Sequence, residues 1–479
     1  MADTAAHLAD LVGEALACRG AEQLERTRRT YKRLLDSQLA EPSLYNQLGL
    51  ILQQHGKLDE ALGCYRRALE IDSRDAATHC NVGAALFAQD SLADAAASFE
   101  EAIALEPESA KAHSNLGYMR YCMGQYAEAE RHYVRALALE PTSVEANWNL
   151  CLLHLLLGDL PAGWERFRQR HAVSPFPRRP QTKPEWQGQA LAGETVLLYK
   201  EGGFGDTIQF ARYAPLVAER GARVILEVQP ALTRLFQTLD GVDLLVKRGP
   251  QLPEFDFQSN LADLPRIFGT TLETVPAKPY LSANPVLTRI WRKRLGSSGF
   301  KVGLVWAGNP GFPDARHKSI PLPQLALLAS CRGIKWVSLQ KGAGASELAA
   351  APDGMRLLSF DERLVDFAET AAVIENLDLV ITIDTAVAHL AGALGRPVWV
   401  LLPLVPDWRW LVEREDSPWY PSVRLFRQTE LGIWTSVVER VARELRTTTE
   451  THKSQPIMTR LKHALFGRGG KHGSREDAR

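Results

Sequence analysis

The sequence predicts two architectures in one chain: an α-helical solenoid, then an α/β region built on parallel sheets. Three observations carry this. Leu48-Gly49, Val82-Gly83, Leu116-Gly117 and Leu150-Cys151 recur with a period of 34 residues. Beyond residue 194 short apolar, β-branched runs alternate with helical stretches, the mark of parallel α/β folds. One stretch, 378–403, reads as a buried strand, a tight turn, a helix and a second buried strand.

At 479 residues and 53.1 kDa the chain is too long for one core, so about two to four domains are expected. Its 56 basic and 56 acidic side chains cancel, so no global field favours nucleic acid or an anionic membrane. The longest apolar run, 150–157, carries Cys151 and His154 and is too short to span a bilayer. The opening MADTAAHLAD is acidic and lacks a signal-peptide profile. The cysteines at 18, 64, 80, 122, 151 and 331 show neither CxxC pairing nor metal-ligand spacing with histidine; they read as small packing residues. The expectation is a reduced, cytoplasmic, soluble protein with no transmembrane segment and no nucleic-acid partner.

The repeat holds in several registers. In phase come Ala61, Ala95, Ala129 and Gly163, then Tyr65, Phe99, Tyr133 and Phe167, then Ala68, Ala102 and Ala136. Ser73, Pro107, Pro141 and Pro175 close the units. Small residues belong where two helices touch, an aromatic fills the gap, and proline ends the second helix. The pattern resembles the tetratricopeptide-repeat family over residues 42–175. Residues 1–41 form a poorer unit that matches only at Tyr31 and is expected to cap the array. The fourth unit departs, with Cys151 for glycine and Arg170 for alanine. Such arrays bind partners, so the repeats are expected to hold a partner or acceptor; a spacer or self-association module is the alternative.

Residues 176–194 are a proline-rich linker. The first α/β half (195–296) follows, with strands expected at 195–199, 223–228, 242–246 and 255–257, helices at 206–220 and 232–239, and a connecting helix at 285–295. Gly296-Ser297-Ser298-Gly299 reads as a hinge. The second half (297–446) has strands at 301–307 and 335–339, a helix at 367–376, the 378–403 stretch and a last helix at 434–445. Residues 447–479 are expected to be a disordered basic tail in which Ile457, Leu461 and Leu465 have the spacing of a short amphipathic helix. Two such halves place a cleft between the carboxyl ends of their sheets.

Two helix starts carry the candidate chemistry. In 378–403, Asp384 and Thr385 stop a strand and start a helix, which Gly395 and Pro397 end. Free N–H groups and the helix dipole there favour a phosphate. The other start is the glycine turn Gly202-Gly203-Phe204-Gly205-Asp206. With Glu227 closing the next strand it invites a dinucleotide reading, which Ile208 opposes by standing where a third glycine is needed. Asp206 with Gln209 makes an Asp-x-x-Gln capping box. It is equally a general base facing the cleft, and one residue can do both.

GFGDTIQFARYAPLVAERGARVILEVQP, together with DLVITIDTAVAHLAGALGRPV, resembles the bacterial heptosyltransferase family, glycosyltransferase family 9, over roughly 190–445. The resemblance implies a GT-B module of two Rossmann-like halves, and repeats ahead of such a module are similar in layout to protein O-GlcNAc transferases. It implies Asp206 as the base that deprotonates an acceptor hydroxyl for in-line attack on the anomeric carbon. It implies Thr385 and the Ala386 amide as the helix start holding the donor diphosphate, whose charge grows as the sugar leaves. The family usually has glycine at the Ala386 position; alanine keeps the N–H and narrows the approach. His389, one turn on, either bonds phosphate or is a satisfied core histidine, and Asp384 caps the helix and orders the turn. Lys318, in Lys318-x-x-Pro321, resembles the family's phosphate-pairing lysine, with Ile320 in place of tryptophan and Arg316 as a reserve cation. Glu347 resembles the acid that binds the donor ribose. No Asp-x-Asp occurs, so the metal-dependent class is disfavoured, and the helix dipole with Lys318 and Arg316 would replace a metal. Trp408, Arg409, Trp410, Trp419 and Tyr420 read as core packing or as a stacking surface for base or sugar.

The expectation is a metal-independent, inverting glycosyltransferase that takes a nucleotide-sugar donor, needs no cofactor, and recruits a protein or glycan acceptor through its repeats. The rival is a non-catalytic repeat scaffold with a degenerate nucleotide-binding module. A nucleotide-binding oxidoreductase is the third reading.

Overall fold

The computed structural model describes residues 10–11, 13, 20–37, 41–173, 179, 181–247, 249, 252–311 and 315–454. The chain divides into two compact units, Met1–Arg178 and Arg179–Arg479.

The first unit is helical. After α1 (Gly20–Ser37) come four antiparallel hairpins: α2 (Pro42–Gln54) with α3 (Leu58–Ile71), α4 (Ala76–Ala88) with α5 (Leu92–Leu105), α6 (Ala110–Cys122) with α7 (Tyr126–Leu139), and α8 (Val144–Leu157) with α9 (Leu160–Phe167). Asp75, Ser109 and Ser143 cap α4, α6 and α8 by accepting from Ala77, Ala112 and Ala146 N–H. The in-phase glycines make the hairpins close. A Cβ on Gly49 would stand 2.4 Å from the Tyr65 ring, and one on Gly83 or Gly117 would stand 2.8 Å from Phe99 or Tyr133. Each ring is buried by this contact, and full burial of such a ring contributes roughly 1.5–3 kcal/mol. In the fourth hairpin the small residue changes helix. Cys151 takes the glycine position and donates Sγ–H to the Gly163 carbonyl at 3.3 Å, while a Cβ on Gly163 would meet Leu155 at 2.4 Å. Burial pushes the Cys64 and Cys151 thiols up to about 12, which leaves them as inert packing groups.

The second unit holds two all-parallel sheets. The first has the order β3-β2-β1-β4, from β1 (Thr195–Tyr199), β2 (Arg223–Val228), β3 (Leu244–Lys247) and β4 (Phe257–Asn260). The helix after β1 is α10 (Phe204–Phe210). The second sheet contains β5 (Phe300–Val305), β6 (Ile334–Ser338), β7 (Leu357–Ser359), β8 (Leu379–Ile383), β9 (Val398–Leu402) and β10 (Val423–Arg427), in the order β10-β9-β8-β5-β6-β7. Counted from β5, this is the doubly wound order 3-2-1-4-5-6, whose switch point lies between β5 and β8. The helices that frame it are α11 (Pro285–Leu295), α12 (Phe367–Ile374), α13 (Ala386–Ala393) and α14 (Thr435–Ser454). β8 and β9 are buried at every position, as their apolar runs require.

Several expectations need correction. The helix expected at 206–220 is broken into α10, a 3-10 turn Ala211–Tyr213 and a short helix Ala214–Glu219, because Pro215 has no N–H to continue the ladder. The helix expected at 232–239 shrinks to a 3-10 turn and Thr233–Phe236. The fourth strand lies at Phe257–Asn260 rather than 255–257. The sequence pattern gives no sign of the edge strands β7 and β10. The linker is partly built in: Trp186 is fully buried, and the Trp186 N–H donates to the Gln258 carbonyl at 2.9 Å, capping the edge of β4. α11 belongs with the second half, since the Trp291 indole donates to Glu369 of α12 at 2.6 Å. Already at Tyr280 and Leu281 the backbone bonds to the Ala393 carbonyl, so the crossover precedes the Gly296–Gly299 hinge. α14 continues to Ser454, so the tail does not begin at 447; Ile457, Leu461 and Leu465 lie outside the described residues. Among the described residues no helix is long and apolar enough to cross a membrane.

Candidate active site

The site is built where α10 of the first half meets α13 of the second. Gly202, at φ +80, leads into α10; a Cβ there would stand 2.4 Å from Asp206 Oδ2, so the turn admits only glycine. Gly203 is the N-cap and Asp206 the third helical residue, whose Oδ2 accepts the Gly203 N–H at 2.8 Å. The expected Asp206–Gln209 box is therefore wrong: Asp206 reaches back to the cap, and Gln209 is free for another task. At Gly205 the two helix starts touch, since a Cβ there would stand 2.9 Å from His389 Cδ2 and 3.7 Å from Ala386 Cα.

Across this contact, Thr385 caps α13. Its backbone is extended (φ −144, ψ 171), and its Oγ1 accepts the Val387 N–H at 3.3 Å while bonding Thr382 Oγ1 at 3.0 Å. Thr385 does the capping that the sequence reading gave to Asp384. Asp384 is half-buried beside Asp407; burial and the Asp407 charge push its carboxyl up, against Lys318 and Arg409. His389 is buried. Its Nδ1 bonds the Tyr420 hydroxyl at 2.9 Å, and its ring stacks on Trp410 at 5.4 Å. Burial and the Arg409 charge pull it down to about 3, so at neutral pH the ring is uncharged.

The residue that sequence reasoning missed is Arg409. Asp407 caps the 3-10 turn Trp408–Trp410 and both of its oxygens accept from Arg409 Nη1 at 3.0 Å. Arg409 Nη2 donates to Asp206 Oδ1 at 2.6 Å, and Nε donates to Gln209 Oε1. The guanidinium lies 4.4 Å over the Trp408 ring. One acid from each half, Asp206 and Asp407, thus binds one buried cation. A second arginine runs the opposite way. Arg212, buried in the first half, donates to the Trp419 carbonyl and the Gln209 carbonyl, each at 2.8 Å, and lies 4.4 Å over the Tyr420 ring.

The other candidates are scattered around this centre. Lys318 ends the helical turn Ala315–Lys318 and packs over Gly308, where a Cβ would stand 3.5 Å from its Cε. Its charge acts on Asp384, His389 and Asp407. Ile320, in the tryptophan position, is buried core. Arg316 is exposed and donates Nε–H to the His317 ring at 2.8 Å. Glu347 Oε2 accepts the Leu322 N–H at 2.8 Å, holding a 3-10 helix of the second half. Glu227 is buried in an ion pair with Arg179 at 2.6 Å, which occupies the acid that a ribose-binding reading needs. The aromatic cluster is core: Trp408, Trp410, Trp419 and Tyr420 are buried, and the Trp408 ring carries the Arg409 guanidinium. Among the described residues no group of three or more His, Cys, Asp or Glu is placed to hold a metal ion.

A repeat solenoid followed by two doubly wound parallel sheets, with charged groups gathered at the switch point, defines a repeat-bearing GT-B protein. Comparison with known proteins gives the same reading. Tetratricopeptide-repeat models match residues 49–90, 83–121 and 110–143, and the glycosyltransferase family 9 (heptosyltransferase) model matches residues 364–401. The chain carries tetratricopeptide repeats followed by a glycosyltransferase family 9 domain. The matched segment spans Asp384, Thr385, Ala386 and His389; Asp206, Lys318 and Arg409 lie outside it. Protein FlbA of Caulobacter vibrioides is 28% identical over 319 residues, which is 61% of this chain and 53% of FlbA. The chain thus spans about half the length of the curated relative it matches. Among solved structures, PilF of Pseudomonas aeruginosa is similar at 19% identity, covering 36% of this chain and 78% of that one, with a TM-score of 0.33. MamA of Desulfovibrio magneticus RS-1 is similar at 19% identity, covering 36% and 95%, with a TM-score of 0.31.

Proposed function

We propose that the chain is a metal-independent, inverting glycosyltransferase that moves a sugar from a nucleotide-sugar donor to an acceptor hydroxyl. The observation that carries the reading is the meeting of α10 and α13 at Gly205, Ala386 and His389, one residue from Asp206 and its contact with Arg409 of the other half. The donor diphosphate sits at Thr385 and Ala386, where the helix dipole and Lys318 hold the charge that develops as the sugar leaves. Asp206 takes the proton of the acceptor hydroxyl during in-line attack. His389 serves this site as a neutral hydrogen-bonding group, Asp384 as the half-buried acid that orders the phosphate-binding turn, Arg316 as an outlying cation and Glu347 as the ribose partner. The repeats recruit a protein or glycan acceptor.

A second reading has its own support: both Asp206 oxygens are already bonded, by Gly203 N–H and by Arg409, as in a scaffold that binds nucleotide without turnover. Thermal-shift screening with UDP, ADP, GDP and their sugars separates these outcomes, because a ligand at about 100 times its Kd adds about 2.7 kcal/mol. If no nucleotide shifts the melt, the transferase reading fails. Once a donor is found, Asp206→Asn is expected to cut transfer about 100-fold or more with donor affinity kept. Binding without any wild-type transfer leaves the scaffold.

A further inference from the structure

Asp206 comes from the first α/β half and Arg409 from the second, 203 positions later. The amide bond from Gly203 pins one carboxylate oxygen of Asp206 and leaves the group free to turn about it. The 2.6 Å contact from Arg409 Nη2 removes that freedom. Arg409 is itself held from three sides, by both Asp407 oxygens on Nη1, by Gln209 on Nε and by the Trp408 ring beneath. A guanidinium serves these partners together because its donors lie in one rigid plane, which an ammonium cannot reproduce. An ionised carboxylate has about four lone-pair sites. Two are used here, and the Asp206 side chain keeps 34% of its exposure, so the remaining sites open outward.

We infer that Arg409 is a positioning residue for Asp206: it aims the unused carboxylate lone pairs at the acceptor hydroxyl. The inference rests on the transferase reading above. Because Arg409 stands on the donor-side half, the base is aimed only while the two halves are closed on each other. Donor seating and base alignment are thereby tied through one side chain.

The test uses the full chain, the nucleotide sugar that wild type turns over, and the variants Arg409→Gln, Arg409→Lys, Asp206→Asn and the double variant Asp206→Asn with Arg409→Gln. Arg409→Gln is expected to lower kcat about 100-fold, as misalignment of a reacting group by about 1 Å does, with donor KM within about threefold. Arg409→Lys keeps the charge without the fork and is expected to recover little of the loss. The double variant is expected to be no slower than Asp206→Asn alone, because Arg409 acts through Asp206. Should Arg409→Gln fail to fold, Asp407→Asn loosens the same guanidinium and is expected to show a smaller kcat loss that likewise vanishes in the Asp206→Asn background. A raised donor KM at unchanged kcat would make Arg409 a donor ligand and overturn the inference. So would an undiminished Arg409 effect in the Asp206→Asn background, or full rescue by lysine. These outcomes in an active wild type overturn the inference alone, whereas a wild type that turns over no nucleotide sugar overturns the proposed function and the inference together.

Discussion

The repeats and the α/β unit use glycine for the same steric purpose with different reach. In the repeats, Gly49, Gly83 and Gly117 each admit a ring from the partner helix of their own hairpin. In the α/β unit, Gly205 admits His389, and Gly392 admits the Tyr420 ring, where a Cβ would stand 2.5 Å away. A repeat contact closes within 16 residues of sequence; the Gly205 contact joins two halves across 184. The first kind stabilises a local unit and can be copied along the chain. The second kind fixes one geometry once, where two sheets meet. Damage to the first should appear as lost stability and damage to the second as lost chemistry.

Tyr133→Ala tests the local side with the largest effect. Emptying a fully buried ring site costs about 3–5 kcal/mol, so hydrogen exchange in α6 and α7 should accelerate while nucleotide binding by the α/β unit is kept. Gly205→Ala tests the long-range side. Its Cβ would press on His389 and displace Asp206 nearby, and transfer is expected to fall about 100-fold with little change in melting temperature; an equal loss of both would erase the contrast. The next effect is one of pH. Burial and then Arg409 hold His389 down to about 3 in the folded chain, against about 6.5 when unfolded. The unfolded chain therefore binds the extra proton, so this contribution is intact above pH 6.5 and is lost as pH falls. The loss reaches about 2 kcal/mol by pH 5. His389→Gln should flatten the fall in melting temperature between pH 7 and pH 5. The smallest effect belongs to exposed ion pairs in the array. Arg67 and Glu70 meet at 2.7 Å with side chains 39% and 62% exposed, and Glu70→Gln should leave the melting temperature essentially unchanged.

The same difference in reach explains what could be read from the residues. The repeats were legible because each contact recurs at a fixed period, so Tyr65, Phe99 and Tyr133 point to their glycines without any fold in hand. The central strands were legible because β8 and β9, buried on both faces, are continuous apolar runs. β7 and β10 are edge strands of mixed polarity, Leu-Leu-Ser and Val-Arg-Leu-Phe-Arg, and carry no such mark. The crossover near Tyr280 has no periodicity and was placed too late, at the glycines of 296–299. In the site, the helix start at Asp384-Thr385 was legible because capping is local, although the cap itself falls on Thr385 and not on Asp384. Arg409 was not, since a lone arginine between two tryptophans looks like packing until the fold brings Asp206 to it. Asp206 itself was found by its glycine turn, but its helix begins two residues earlier than the pattern suggested.

Arg212 gives the join between the two halves an unusual response to solution conditions. It is held by the Gln209 and Trp419 carbonyls, the Tyr280 hydroxyl and the faces of Tyr280, Trp419 and Tyr420, and such groups do not ionise near neutrality. Strong acid therefore acts unequally on the two arginines. It removes the Asp407 charge, which Arg409 holds ionised below the usual carboxylate range, and leaves the Arg212 cradle in place. Under such conditions the halves stay joined while the group that aims Asp206 works loose, so the chain would lose its alignment before it loses its shape.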